Sequence, residues 1–275
     1  MEIINAPSLA NCDFLNFRDQ IFQLVDGGCQ WFHIDIMDGH YVPNLCFPVR
    51  LVKELKQTFP AIQMDVHLMV TDPMTYIAPL RESGADWVSF HLDSTPFARR
   101  GLAAIRAQGM KAGIVINPSQ PISLLEPLIG FVDYIVLMTV EPGYAGQRFL
   151  PDSLSRLEQL VQLRGNRPIP ISIDGGVDMY HAAECARRGA QIFCNRNLYG
   201  LQPTGQYFRC LPTFSERNLR CCGLSFSKSS ASFIGKQSFL RQADCSPHKQ
   251  TFTKFLQLSR RIRAIPIYRR FRLFF

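Results

Sequence analysis

Residues 31–40 read WFHIDIMDGH, and the alternation inside that stretch decides how the rest of the chain is read. Trp31, Phe32, Ile34 and Ile36 favour a pleated backbone, so the segment reads as a strand over Trp31–Ile36. On a strand successive side chains alternate faces, which puts His33 and Asp35 on the same side. Two more strands end the same way. MDVHLMV (64–70) carries His67 near its end, and ISIDGGV (171–177) closes on Asp174.

Outward from these three, the same unit recurs. Strands are expected at Ile3–Ser8, Trp31–Ile36, Met64–Met69, Trp87–His91, Lys111–Ile116, Tyr134–Met138, Ile169–Ile173 and beginning at Ala190–Phe193. Amphipathic helices are expected between them at Phe17–Asp26, Val49–Thr58, Pro73–Ser83, Phe97–Gln108 and Ser153–Leu163. Pro79 should kink or split the third helix. Gly27, Gly84, Gly109 and Gly189 come just after helical stretches, where a left-handed residue closes a helix. Strand–helix alternation makes a parallel sheet, and this many units suit a (β/α)8 TIM barrel better than an open doubly wound sheet. No GxGxxG comes after the first strand, which further weakens the open-sheet alternative.

In a barrel the strand C-termini converge on one mouth. His33, Asp35, His67 and Asp174 then form a nitrogen–oxygen set suited to a divalent metal. Each alone is a weak signal, since a lone His at a strand end is more often a satisfied structural residue. Met37, Met69 and Met138 fall near strand ends too, as core filler or as an apolar lining over a reactive intermediate. Ser8 ends the first strand, either as a substrate contact or as a cap on the next turn. After the sixth strand, TVEPGYAGQRF (139–149) is an ordinary turn or a lid whose exposed backbone N–H groups, around Gly143 and Gly146, cover an anion. Asp174-Gly175-Gly176 offers further donors.

The chain has 275 residues, 47% hydrophobic and 19% charged, enough for one large α/β domain or two small ones. It has no apolar run of membrane-spanning length, and its first residues, MEIINAPSLANCDF, do not read as a secretory signal. A cytoplasmic enzyme is expected. The net charge of +8 is unevenly placed. Residues 1–193 hold 15 Lys+Arg and 20 Asp+Glu, while residues 194–275 hold 15 and 2. Five of the nine cysteines also lie beyond 193. None has zinc-site spacing, so free thiols are expected.

Together the motifs APSL, HIDIMDGHYVPN, DVHLMV, GIVINP, VLMTVEPGYAGQ and IDGGV, in order over about residues 3–193, resemble the ribulose-phosphate 3-epimerase family. The resemblance implies a TIM barrel that epimerises C3 of a ketose phosphate with a divalent cation (Zn, Fe(II), Mn or Co). His33, Asp35, His67 and Asp174 match that family's metal ligands, and Asp35 and Asp174 its acid/base pair. Ser8 and His67 match substrate contacts; Gly143, Tyr144, Ala145, Gly146, Asp174, Gly175 and Gly176 match loops around the phosphorylated substrate. The implied partners are a small phosphorylated sugar and, for a complete barrel, further copies of the chain. Pentose enzymes usually read MSVNPGFGGQ after the sixth strand; here Thr139 and Ala145 look closer to a branch acting on allulose 6-phosphate.

The resemblance stops at Cys194, where CNRNLYGLQ replaces a Gly-Thr/Ser-Ser phosphate segment. Permitted codons for those nine residues, read from the second base, can spell Val-Ile-Gly-Thr-Ser-Met-Val-Phe. The domains are therefore expected to be an epimerase barrel at 1–193, with its eighth βα unit disrupted, and an irregular basic tail at 194–275 produced by a one-base frameshift. The alternative is a genuine appendage for polyanions or acidic membranes, with Arg260, Arg261, Arg263, Arg269, Arg270 and Arg272 among aromatic residues. No nucleic-acid motif accompanies it.

Overall fold

All eight expected strands form in the computed structural model, which describes residues 3–195. They are β1 (Ile4–Pro7), β2 (Trp31–Met37), β3 (Gln63–Met69), β4 (Trp87–His91), β5 (Lys111–Ile116), β6 (Tyr134–Met138), β7 (Ile171–Asp174) and β8 (Ile192–Asn195). Each pairs in parallel with its sequence neighbour from β2 to β8, and β8 pairs with β1. The last seam, β1 against β2, is joined by one bridge from Ser8 to His33. The result is the expected TIM barrel. β8 runs past the compositional break and takes in Cys194 and Asn195. The rest of the expected disrupted unit and the basic tail, beyond Asn195, lie outside the described residues.

Outside the strands lie α1 (Phe17–Asp26), α2 (Val49–Thr58), α3 (Met74–Glu82), α4 (Ala98–Ala107), α5 (Ser153–Arg164) and α6 (Met179–Arg187). A 3-10 helix at Ile122–Leu128 makes the β5–β6 connection. Sequence periodicity does not announce α6, because its buried face is Ala182, Ala183 and Cys185 while Met179 and Tyr180 face solvent. Its start is marked instead by Asp178, whose side chain accepts from the His181 N–H. One local expectation is narrowed and another corrected. Pro79 does not split α3, which continues to Glu82. Gly27 stays right-handed at φ −71°, and Gly28, at φ +86°, makes the left-handed turn. No helix among the described residues is long and apolar enough to cross a membrane, and no disulfide forms among them.

Period-two alternation divides each strand between two cores. Phe32, Ile34, Ile36, Met64, Val66 and Leu68 pack outward with the buried helix residues Leu24, Val52 and Leu80. The opposite faces of β2 and β3 carry Trp31, His33, Asp35 and Met37 in register with Gln63, Asp65, His67 and Met69. The barrel floor is aromatic: Trp87 lies 4.8 Å from Trp31 and 5.0 Å from Tyr134. Gly113 on β5 makes room for it, since an added Cβ would run into the Tyr134 ring and come within 2.9 Å of Ser89 Cβ. Gly113→Ala is expected to cost about 1–3 kcal/mol, the usual penalty for overpacking a core. An unchanged denaturant midpoint would count against a close-packed floor.

Candidate active site

At the mouth, β2, β3 and β7 bring His33, Asp35, His67 and Asp174 together, with one ligand atom from each lying within 4.8 Å of the others. His33 Nε2 is 3.3 Å from Asp35 Oδ1 and 3.6 Å from Asp174 Oδ2. His67 Nδ1 is 3.3 Å and 3.2 Å from the same two oxygens. Both imidazoles are completely buried, and these two nitrogens have no hydrogen-bond partner. Leaving a buried polar atom unpaired is costly, so two of them aimed at two carboxylates make a donor set that a divalent cation fits.

The surroundings fix these groups. Ser8 Oγ donates to Asp35 Oδ2 at 2.6 Å, leaving Oδ1 to the imidazoles. Ser8 makes no capping bond, so the capping alternative is excluded. His33 Nδ1 lies 2.8 Å from Asp65 Oδ2, and Asp65 Oδ1 accepts from the Tyr134 hydroxyl at 2.9 Å. Thr139 Oγ1 donates to the Asp174 carbonyl at 2.9 Å, as does the Thr139 backbone N–H at 2.8 Å, tying β6 to β7 beside the Asp174 carboxylate. Sequence reasoning missed Asp65 and Tyr134. Asp65 had a signal, because it stands two residues before His67, mirroring the His33–Asp35 spacing.

Charge in the cluster is shared. Burial lowers the tendency of His33 to protonate, but the carboxylates of Asp35, Asp65 and Asp174 outweigh it and hold His33 well above the usual imidazole range. His67 is raised in the same way, with burial opposed by Asp174 and Asp35. Burial also works against the charged form of Asp35 and Asp174, yet the two imidazoles hold both carboxyls below the usual range. Burial pushes the Cys194 thiol, 3.3 Å from His33 Nδ1, up to about 12, so it is neutral and unreactive. His33, Asp65 and Cys194 form a second possible ligand group, but its members already bond to one another.

A cavity of about 320 Å³ opens over the cluster. Met37, Met69 and Met138 line it, together with Ser8, Asp35, Gly143, Tyr144, Ala145, Gly146, Asp174, Gly175 and Gly176. His33 and His67 lie beneath. The β6–α5 loop is fastened across the mouth: Tyr144 OH donates to Pro43 O at 2.9 Å, and Asn44 Nδ2 donates to Gly143 O at 2.9 Å. Gly176, at φ +64°, lets the β7–α6 turn pass Phe149, whose backbone nitrogen would lie 2.5 Å from an added Cβ.

The pattern of the ribulose-phosphate 3 epimerase family matches residues 4–197. The chain belongs to that family. It is therefore an isomerase of the epimerase type. Curated family members include the ribulose-phosphate 3-epimerase of Rhodobacter capsulatus, 39% identical over 68% of this chain and 82% of its own. That of Treponema pallidum is 37% identical over 70% and 89%, and that of Bacillus subtilis 34% identical over 68% and 87%. Among solved structures, a mutant tryptophan synthase α-subunit from Pyrococcus furiosus superimposes with a TM-score of 0.54 at 14% identity. It covers 70% of this chain and 86% of its own, and at that identity it speaks to the barrel alone. The family match ends two residues past β8, close to the compositional break.

Proposed function

We propose that this protein epimerises a ketose phosphate at C3, interconverting ribulose 5-phosphate and xylulose 5-phosphate, with His33, Asp35, His67 and Asp174 holding a divalent cation. One observation carries the reading: two buried, unpartnered imidazole nitrogens converge on two carboxylates at the barrel mouth of a chain belonging to this family. Inverting a carbon next to a carbonyl means removing its proton from one face and returning one to the other. Asp35 and Asp174 form the acid/base pair: the carboxylate of one takes the proton from its face, the other, carrying a proton as a carboxyl, returns one to the opposite face, and the roles exchange with the direction of reaction. Removing the proton leaves an enediolate. A cation bound in this site would offset its negative charge and polarise the carbonyl. Ser8 steadies Asp35, and Thr139 steadies the backbone of Asp174. Met37, Met69 and Met138 keep water from the intermediate, and the loops at Gly143–Gly146 and Asp174–Gly176 surround the phosphorylated end of the sugar.

The barrel, expected at 1–193 and closed by β8 through Asn195, is the catalytic unit in this reading. The segment from Cys194 onward is a shifted reading frame, which sequencing the gene across codons 190–200 tests directly. The enzyme works in the cytoplasm. A second substrate, allulose 6-phosphate, is favoured by Thr139 and by Ala145, which lines the cavity where pentose enzymes carry glycine. Purified chain supplied with Zn, Fe(II), Mn or Co is expected to epimerise ribulose 5-phosphate faster than allulose 6-phosphate. The reverse order would transfer the assignment to the hexulose. Metal binding without turnover of either, together with salt-sensitive polyanion binding, would favour a non-catalytic barrel with a basic interaction tail.

A further inference from the structure

His91 ends β4, is fully buried, and places its Nε2 2.8 Å from the Nε2 of His67. The two rings stack with centroids 4.9 Å apart. The other nitrogen of His67, Nδ1, is the one that faces Asp35 and Asp174. A nitrogen that gives its lone pair to a cation carries no proton, so neutral His67 must keep its proton on Nε2. Only one proton fits between two nitrogens at this distance. His91 Nε2 must therefore accept, and the proton of His91 sits on Nδ1.

The next neighbour suits that arrangement. Asn117 commits its amide nitrogen to Tyr41 OH at 2.7 Å and Asp93 Oδ2 at 3.1 Å. Its acceptor atom, Oδ1, is left over, buried and unpaired, and so is His91 Nδ1. Arg156 holds the Asn117 carbonyl at 2.9 Å, and the Tyr41 ring lies 4.7 Å from the His91 ring. Asn117 and Tyr41, beside His91, are thus held by bonds of their own.

We propose that His91 is a positioning residue: it holds His67 in the tautomer whose Nδ1 lone pair faces the two carboxylates, and so strengthens cation binding by the four-residue site. The inference rests on the metal reading above and assigns His91 no contact with substrate.

The test is Co(II) binding by the full chain, measured by competition with a chelator, with the visible absorption reporting ligand geometry. His91→Phe keeps a ring and removes the acceptor; His91→Gln puts an acceptor back. His91→Phe is expected to weaken Co(II) binding by about 10–100-fold, the range for losing an outer partner of a metal-bound histidine, and to alter the absorption. His91→Gln is expected to restore both. Parent-like binding by His91→Phe, or a His91→Gln as weak as His91→Phe, overturns the proposal. Nitrogen-15 NMR of the zinc-loaded parent does not depend on how either variant folds. It should show the proton on His67 Nε2, with coupling across the hydrogen bond to His91 Nε2; a proton on His67 Nδ1 overturns the proposal. A parent chain that binds neither ion overturns the metal reading itself, an outcome distinct from ordinary parent binding with an indifferent His91→Phe.

Discussion

Asp174→Asn is expected to lower kcat/KM for epimerisation by about 10³-fold, within the range for losing a positioned acid/base group. Asparagine keeps the shape of the side chain but neither takes nor gives the proton at C3. The asymmetry of the defect is the sharper readout. Asp35 remains, and it can still remove a proton from its own face and return one there. In deuterated water, then, one epimer should exchange its C3 hydrogen without inverting, while the other should not exchange at all. Asp35→Asn should show the same behaviour with the epimers reversed. Turnover near that of the parent, or exchange of both epimers at parental rates, would remove Asp174 from the chemistry. Metal content measured alongside separates loss of the base from loss of a ligand.

The second large effect is expected on removing the cation. Chelation should reduce activity by more than about 100-fold, since the charge on the enediolate then has no offset of comparable strength. Proton competition sets the pH dependence. His33 and His67 are held above the ordinary imidazole value, so protons compete with the ion for both side chains, and binding must displace any they carry. Apparent affinity should therefore rise with pH, by about tenfold per pH unit for each proton displaced, and level off above the two folded pKa values. Stability depends on the same groups. Raised imidazoles stabilise the metal-free protein fully below their unfolded pKa, and that contribution is lost as pH climbs through the folded values. The lowered Asp35 and Asp174 stabilise it above the unfolded carboxylate pKa and cease to do so as pH falls through their folded values. The gap in Tm between zinc-loaded and metal-free protein should accordingly widen as pH rises from the ordinary imidazole value through the raised folded values, where the free imidazoles lose their protons. A gap that narrows over that interval would contradict the charge assignment.

Much of this site was legible in the chain itself, because strand alternation is a short-range rule. His33 and Asp35 two apart on β2, His67 on β3 and Asp174 at the end of β7 required only period two and the convergence of barrel strands. The body of helix α6 was not legible, although Gly189 was read as closing a helical stretch. Its buried side is alanine and cysteine, too weakly apolar to stand out from its exposed Met179 and Tyr180. The bond from Ser8 to Asp35, 27 residues away, was not among the roles that the chain suggested for Ser8, because it joins two strands distant in sequence.

What the sequence determined by itself was the set of strands, the class of barrel, and which four ionisable side chains reach the mouth. These come from local alternation and from the composition of short segments. Tertiary structure alone decided which atom of each group faces the others, because that depends on contacts between strands distant in sequence. It placed Asp65 and Tyr134 behind His33, and His91 behind His67. It also left Asp35 with one oxygen held by Ser8 and one free for the imidazoles. A buried imidazole has two nitrogens and one proton to divide between them, and that division is set by what stands on its far side.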